Sequence, residues 1–576
     1  MGFMWQYLKK QHGYVFISLI GTIGKVAAMI GLPTLLGAMI DTALISGDFD
    51  KAITIGWWMV GLGIIGFVGR TVNTYGSSLA TARMTEEMRN EVYEKMTNFS
   101  HDQYKEMGVA SLTTRISTDA FVLMQFADQI LRMGIMAPLM TITTIIMMLK
   151  ISSNLMIILI PALFIMVGII YFIAKFVRPL SEKQQKNLDR INGIFRENIN
   201  GSRVIRSFTQ EENRFNRFKD VNNLYKNNSL KLFRTLGITD PAFSFVIISM
   251  IIIIMLFGSR QIELGNMQIG ILTAFIEYSF QALFSLLILA QLFIMYPRAS
   301  VSASRLKEIM DTDPSIHLNK DGVTETETRG EVEFQNVYFQ YPDADEPVLK
   351  DISFKAHKGQ TVAFIGSTGS GKSTIIQLIP RLYDVTKGKI LVDGVDVREY
   401  NLEALRDKIG YTPQKSLLFS GTIADNLKFG KEEAEQPDFD HATSISQAYD
   451  FIQRLEKKYS SDLVEGGTNF SGGQRQRLAI ARAIIDKPEI YIFDDSFSAL
   501  DFKTDAKVRN LLSEETTDAL TFIVAQRVSS ITNADQIIVL NEGEIVDIGT
   551  HQELLQNSDL YLEIARTQLS EEELYG

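Results

Sequence analysis

The chain has 576 residues, 46% of them hydrophobic, contains no cysteine and carries a formal net charge of −10 at pH 7. That length exceeds a single domain, the missing thiols exclude disulfides and metal–thiolate centres, and the acidic balance gives no reason to expect nucleic acid as a partner.

Hydropathy divides the chain near residue 300, with long apolar stretches before it and an ordinary charged α/β sequence after it. From the N-terminus, the candidate membrane helices run over 15–40, 53–75, 126–149, 154–177, 241–262 and 268–296, each long enough to cross roughly 30 Å of hydrocarbon. Buried core helices of a soluble protein would explain a few of these singly, but the runs 246–257 and 156–174 are too uniformly apolar for that. No cleavable signal peptide is expected, because the first span is too long and no small-residue cleavage site follows it. Lys9 and Lys10 precede the first span, and the segments 76–125 and 178–240 are rich in basic residues such as Arg203, Arg206, Arg214 and Arg217. The positive-inside rule puts these segments and both termini in the cytoplasm of a multi-pass cell-membrane protein, leaving 41–49, 151–154 and 259–267 outside.

Both cytoplasmic segments are too long to be simple connections. Met84, Met88, Val92 and Met96 recur at steps of four, and each segment fits two helices of about 25 residues that project roughly 35 Å from the bilayer. The tips fall near 100–107 and 207–218. They form either a solvated hairpin or a docking surface for a second domain; the latter better explains Tyr104, Phe208, Phe215 and Phe218. Within the spans, Glu277 is the pointed residue, since a carboxylate in hydrocarbon is costly and often functional. It is a candidate for a substrate cavity that attracts cationic amphiphiles, with a basic partner or a hydrogen bond as the other reading. Met133, Met136, Met140, Met250 and Met255 with Phe243, Phe245, Phe275 and Phe280 offer an adaptable apolar surface or plain packing. Lys25, Arg70, Asp128 and Arg132 fall near the membrane interfaces.

In the second half, Tyr341 closes an early strand and either stacks on a base or serves as an edge aromatic. Gly366, Ser367, Thr368, Gly369, Ser370, Gly371, Lys372 and Ser373 match the G-x-x-x-x-G-K-[ST] phosphate loop, between an apolar run at 361–365 and a helix opening at Thr374. Its glycines let backbone N–H groups face phosphates, Lys372 neutralises the β- and γ-phosphates, and Ser373 ligates Mg²⁺. The Gln414 amide is placed to sense the metal or the γ-phosphate. Ser471, Gly472, Gly473 and Gln474 open another helix and make a second anion-binding end, about 100 residues from the first loop. The apolar strand at 491–493 ends in Asp494 and Asp495. One carboxylate in such a pair serves a metal and the other an attacking water; Asp495 is one methylene short of the usual glutamate. A misplacement of about 1 Å costs on the order of 100-fold in rate, so the expectation is a site that binds nucleotide well and hydrolyses it slowly.

Taken together, these residues resemble the ATP-binding cassette (ABC) family, and the six-span portion resembles its exporters, over nearly the whole chain. The resemblance implies an all-α six-helix transmembrane domain over 1–310 with two long cytoplasmic loops, a linker at 311–329, and a cytoplasmic α/β P-loop nucleotide-binding domain over 330–576. It implies an ATPase-coupled translocase with ATP and Mg²⁺ as cofactors. Tyr341, Gly366 through Thr374 and Gln414 would bind ATP, and Ser373, Gln414 and Asp494 would hold the metal. Ser471 to Gln474 would be the signature that closes over a partner's ATP, and Asp501, in Ser498-Ala-Leu-Asp501, would lie in the loop after the acidic pair. Two departures stand out: Asp495 replaces the family's catalytic glutamate and Gln526 its switch histidine, and glutamine cannot take a proton at neutral pH. They point to a degenerate-site subunit of a heterodimeric bacterial multidrug exporter. Its partner would be a second half-transporter with the consensus Glu and His, and it would export amphiphilic drugs or lipids among membrane lipids. The alternatives are a nucleotide-gated regulator or a homodimeric lipid or peptide exporter.

Overall fold

The computed structural model describes residues 1–44, 47–569 and Leu574; Ile45 and Ser46, within the expected outer connection at 41–49, lie outside the described residues. Two units emerge, Met1–Thr97 with Ala110–Thr312, and Asn98–Val109 with Asp313–Gly576.

The first unit is helical, and six of its helices are long and apolar enough to cross a membrane: His12–Ala43, Phe49–Thr97, Val109–Ile151, Ser153–Asn200, Glu211–Glu263 and Ile269–Asp311. The expected cytoplasmic helices continue the spans without a break, so Phe49–Thr97, at 49 residues, is roughly 73 Å long at 1.5 Å per residue. Small residues let the first two spans touch backbone to backbone. A Cβ on Gly69 would stand 2.8 Å from the Lys25 N, and one on Gly21 would stand 2.2 Å from the Asn73 N. In that crossing Asn73 Nδ2 donates to Ser18 Oγ and Thr22 Oγ1, each at 2.9 Å, a bond between helices in the absence of competing water. Arg132 Nε donates to Asp128 Oδ1 at 2.7 Å and to Ser77 Oγ at 2.9 Å, so that charge is paired. Met136, Met140, Met250, Phe243 and Phe275 are buried packing residues, whereas Met255, Phe245 and Phe280 are exposed.

In the second unit, six strands lie side by side in the order Glu544–Gly549, Gln536–Asn541, Thr361–Gly366, Leu520–Val524, Ile490–Asp494 and Ile409–Thr412. All pair in parallel except the first two, which are antiparallel. A second, antiparallel sheet runs Leu349–Ala356, Val332–Phe339, Lys387–Val392 and Val395–Asp396. The two sheets share one core, in which the Phe354 ring meets Phe334, Phe364 and Phe522.

The helix His101–Met107 belongs to this second unit. Ser100 and Gln103 form its capping box. Gln103 Nε2 donates to the Asp313 carbonyl at 2.7 Å, and Ser315 Oγ donates to Ser100 Oγ at 2.6 Å. Lys105 Nζ pairs with Asp343 Oδ2 at 2.8 Å, and His101 meets Tyr383 edge to face. Of the aromatic residues at the two tips, Phe208 and Phe215 are exposed, while Tyr104 and Phe218 are half-buried against Phe99 and Phe195 respectively.

Candidate functional site

Four neighbouring parallel strands deliver their C-terminal ends to one edge of the large sheet, where Val524 lies opposite both Phe364 and Asp494, and Thr412 opposite Phe493. Loops leaving such an edge converge, the usual place for a ligand in an open α/β sheet. Here they carry Gly366 to Thr374, Gln414, Asp494 with Asp495, and Gln526.

The phosphate loop turns where only glycine fits. Gly366 has a φ of 154°, and a Cβ there would lie 2.0 Å from the Leu540 carbonyl oxygen. Gly371 has a φ of 96° and would place a Cβ 2.5 Å from Leu349. Lys372 Nζ donates to the carbonyls of Gly366 at 2.9 Å and Ser367 at 2.7 Å, and more distantly to Ser370 Oγ. Burial pushes the lysine's pKa down, opposed by the charges of Asp495 and Asp494.

Ser373 Oγ donates to Asp494 Oδ1 at 2.7 Å. A hydroxyl beside a carboxylate is the hard oxygen set that suits Mg²⁺, which takes one or two protein oxygens together with phosphates and water. Among the described residues no group of three His, Asp or Glu could enclose a metal. Burial raises the Asp494 pKa, while the Ser373 hydrogen bond draws it back.

Asp495 is buried, with a φ of 48°, and its N–H donates to the Val524 carbonyl at 3.0 Å. Aspartate tolerates this left-handed conformation better than most residues. Its Oδ2 accepts from Gln526 Nε2 at 2.8 Å and, weakly, from Gln414 Nε2 at 3.4 Å. Burial pushes its carboxyl above the ordinary range, against the pull of hydrogen bonds and of Lys372 and Arg527. A cavity of about 430 Å³ opens beside it, lined by Asp495, Ser498, Gln526 and Gln568.

Tyr341 stands edge-on to Phe339 and Tyr383, and its hydroxyl lies 3.0 Å from Thr374 Oγ1. Lys105 Nζ lies 5.6 Å from the centre of its ring. The helix His101–Met107 therefore touches the aromatic ring nearest the phosphate loop.

Other residues singled out from the sequence lie apart from this cluster. Ser471 caps the helix Gly472–Ile484, exchanging bonds with Gln474, and Gly473 approaches the Ala499 carbonyl. Asp501 caps Phe502–Glu515 by accepting from the Thr504 N–H at 3.0 Å. Glu277 is exposed on Ile269–Asp311 and makes no ion pair among the described residues. Sequence reasoning missed Gln568, whose amide grips the loop bearing Gln526, and Lys105; neither belongs to a motif, and both reach their partners only through the fold.

Two family matches fall on the chain: the ABC transporter transmembrane region over residues 15–287 and the ABC transporter domain over 349–498. An uncharacterized ABC transporter ATP-binding protein of Mycobacterium bovis is 36% identical over 98% of this chain and 97% of its own length. The chain belongs to the ABC transporter family. The ATP-dependent lipid A-core flippase of Vibrio vulnificus is 27% identical over 99% of this ABC transporter and 97% of its own length. The fold matches the structure of a bacterial Atm1-family ABC exporter with ATP bound, with a TM-score of 0.81 and 24% identity, over 98% of this chain and 99% of that one. This ABC transporter is thus a multi-pass membrane protein with a cytoplasmic nucleotide-binding domain, an ATPase that uses ATP and Mg²⁺ to drive transport across the membrane.

These likenesses correct two expectations. The chain is not a degenerate-site subunit of a heterodimeric bacterial multidrug exporter, and a second half-transporter with a consensus Glu and His is not its partner. The match runs end to end with the Atm1-family exporter fold and covers 97% of the length of the mycobacterial relatives. Asp495 and Gln526, on whose departures from the family that expectation rested, are joined in the fold by one short hydrogen bond.

Proposed function

We propose that two copies of this chain assemble head to tail as an exporter of lipid-like amphiphiles, each copy closing its Ser471–Gln474 turn over the ATP on the other's phosphate loop. The lipid-like class draws support from the flippase of Vibrio vulnificus. In each site the loop N–H groups and Lys372 bind the β- and γ-phosphates, and Tyr341 stacks on the adenine. Ser373 and Asp494 hold Mg²⁺, which when bound neutralises phosphate charge. Asp495 takes the proton from the attacking water, and Gln526 holds its Oδ2 in place. Gln414 lies beside the same oxygen and links the acid to the metal side of the site, and Asp501 caps the helix that follows. Glu277 meets the cationic part of an amphiphile in the membrane.

The observation that carries this reading is the 2.8 Å bond from Gln526 to Asp495. A short acid held by a fixed donor supplies the orientation that side-chain length alone would not. Since both copies carry the same pair, both sites turn over.

The test uses the purified chain alone, reconstituted in liposomes, with ATP hydrolysis and movement of a fluorescent phospholipid as readouts. Both activities are expected without any other polypeptide, and Asp495→Asn should remove both while ATP still binds. An inert chain that wakes only when an unlike half-transporter is added refutes the assembly; unimpaired hydrolysis by Asp495→Asn refutes the base. Movement of a cationic dye with no movement of lipid reassigns the substrate.

A further inference from the structure

The turn that presents Gln526 is held from outside the sheet. Gln568, at the end of the helix Asp559–Gln568, accepts from the Val528 N–H with its Oε1 at 2.8 Å and donates its Nε2 to the Gln526 carbonyl at 3.0 Å. One amide thus straddles Gln526, Arg527 and Val528. Before this stretch, the Ala525 N–H is fixed to the Phe364 carbonyl at 3.2 Å; after it, Arg509 donates to the Ser529 carbonyl at 3.1 Å. Gln568 spans the residues between those two anchors.

The clamp has a firm base. In its helix Tyr561 is fully buried, with its hydroxyl 2.7 Å from His551 Nδ1, and Ala565 is buried as well. Both join a core with Ala525, Val528 and Ile531, the residues flanking the turn. The Gln568 side chain is exposed and fills no core space, so its two bonds, and not packing, are what it contributes.

We propose that Gln568 is a positioning residue for ATP hydrolysis: by gripping both sides of the 526–528 turn it aims the Gln526 amide at Asp495, so that the last described helix of the chain sets the turnover rate of the site. The proposal rests on Asp495 being the base that Gln526 holds. The two bonds of Gln568 go to Val528 and Gln526, not to the phosphate loop, Ser373 or Asp494. Its loss therefore acts on the step that needs a well-aimed acid and spares ATP binding at Gly366 to Thr374.

The experiment is a double-mutant cycle on the full chain in nanodiscs, reading kcat and KM for Mg-ATP hydrolysis. Gln568→Ala is expected to lower kcat by about tenfold, a fraction of the on the order of 100-fold penalty for a misaimed group, with KM unchanged. Gln568→Glu keeps an acceptor for the Val528 N–H but sets an unprotonated oxygen against the Gln526 carbonyl, and should fall between wild type and alanine. In the Gln526→Ala background Gln568→Ala should add nothing, whatever its effect on melting temperature, because the side chain it aims is gone. Effects that multiply, a normal kcat in Gln568→Ala, or a raised KM with normal kcat each overturn the proposal. Asp495→Asn is assayed in parallel: if it hydrolyses normally, the underlying assignment of the base has failed; if it is dead while Gln568→Ala is normal, only the clamp has failed.

Discussion

Replacing Gln526 by alanine deletes the donor 2.8 Å from Asp495 Oδ2; the Gln414 amide stands at 3.4 Å from the same oxygen, too long to substitute as a good hydrogen bond. A hydrogen bond to a charged group contributes about 1.5–3 kcal/mol. If that energy orients the acid in the transition state, its loss lowers kcat by roughly 10- to 150-fold. The KM for ATP should hold, since the bonds made by Lys372, Ser373 and Tyr341 do not involve Gln526. Phosphate release by the purified chain at saturating Mg-ATP measures the change. Gln526→Glu is the sharper variant: it has almost the same shape, but two carboxylates at hydrogen-bond distance must share a proton, so it should be at least as slow as alanine. Gln526→His keeps an N–H donor and should retain most of the rate. Hydrolysis by Gln526→Ala within about twofold of wild type, where a charged hydrogen bond predicts at least tenfold, would show that the amide does not hold the acid during turnover.

The pH dependence has a definite sign. Burial lifts the Asp495 carboxyl above the usual range, and a general base works only when deprotonated, so kcat should fall on acidification sooner than for an ordinary aspartate of about 3.9; Gln526→Ala, which loses a donor to the charged form, should move the acid limb to higher pH still, read as phosphate release against pH. Lys105→Glu sets a like charge against Asp343 in place of the 2.8 Å ion pair. It should depress lipid movement while basal hydrolysis persists, and Asp343→Lys added to it should restore transport, both read in liposomes. Gly69→Leu drives a side chain into the Lys25 and Gly21 backbone, 2.8 and 2.9 Å from where its Cβ would lie. It should destabilise by at least about 1–3 kcal/mol and reduce the folded fraction on size-exclusion chromatography, whereas Gly56→Leu, with nothing within 4 Å, should not.

What the sequence made legible was local. The phosphate loop is a continuous run in which glycines answer to backbone turns and the lysine to its own loop carbonyls. The spans announce themselves by length and apolarity, and the four-residue recurrence of Met84, Met88, Val92 and Met96 is a buried stripe in the structure. What escaped was the meaning of pairs distant along the chain. Asp495 and Gln526 are 31 positions apart, and only the parallel register that sets Val524 opposite Asp494 makes them neighbours. Read singly, one is a short acid and the other an amide that cannot titrate; the fold sets the amide's Nε2 2.8 Å from the acid's Oδ2. Likewise nothing near residue 103 signals that Gln103 will bond the carbonyl of Asp313, 210 positions on. Tyr104 marked 100–107 as a docking surface for a second domain, the unit to which Asn98–Val109 belongs; which residues it meets there was beyond any local pattern.

One line of contacts joins the two ends of this second unit. Ser373, which bonds Asp494, is followed by Thr374, whose hydroxyl meets that of Tyr341. Lys105 stands over the Tyr341 ring and pairs with Asp343, two residues on from Tyr341. In the proposed site a base stacked on Tyr341 and phosphates on the loop would act on a single cluster, of which the helix His101–Met107 is part. The free energy with which nucleotide favours one arrangement of Tyr341 is also, by reciprocity, the free energy with which that arrangement of the helix favours nucleotide. A transporter needs such a link in both directions, since substrate arriving in the membrane half must raise ATP use and ATP must move the membrane half. The Lys105–Asp343 pair is exposed, and the weakness of such a pair in water would suit a joint that has to release as readily as it forms.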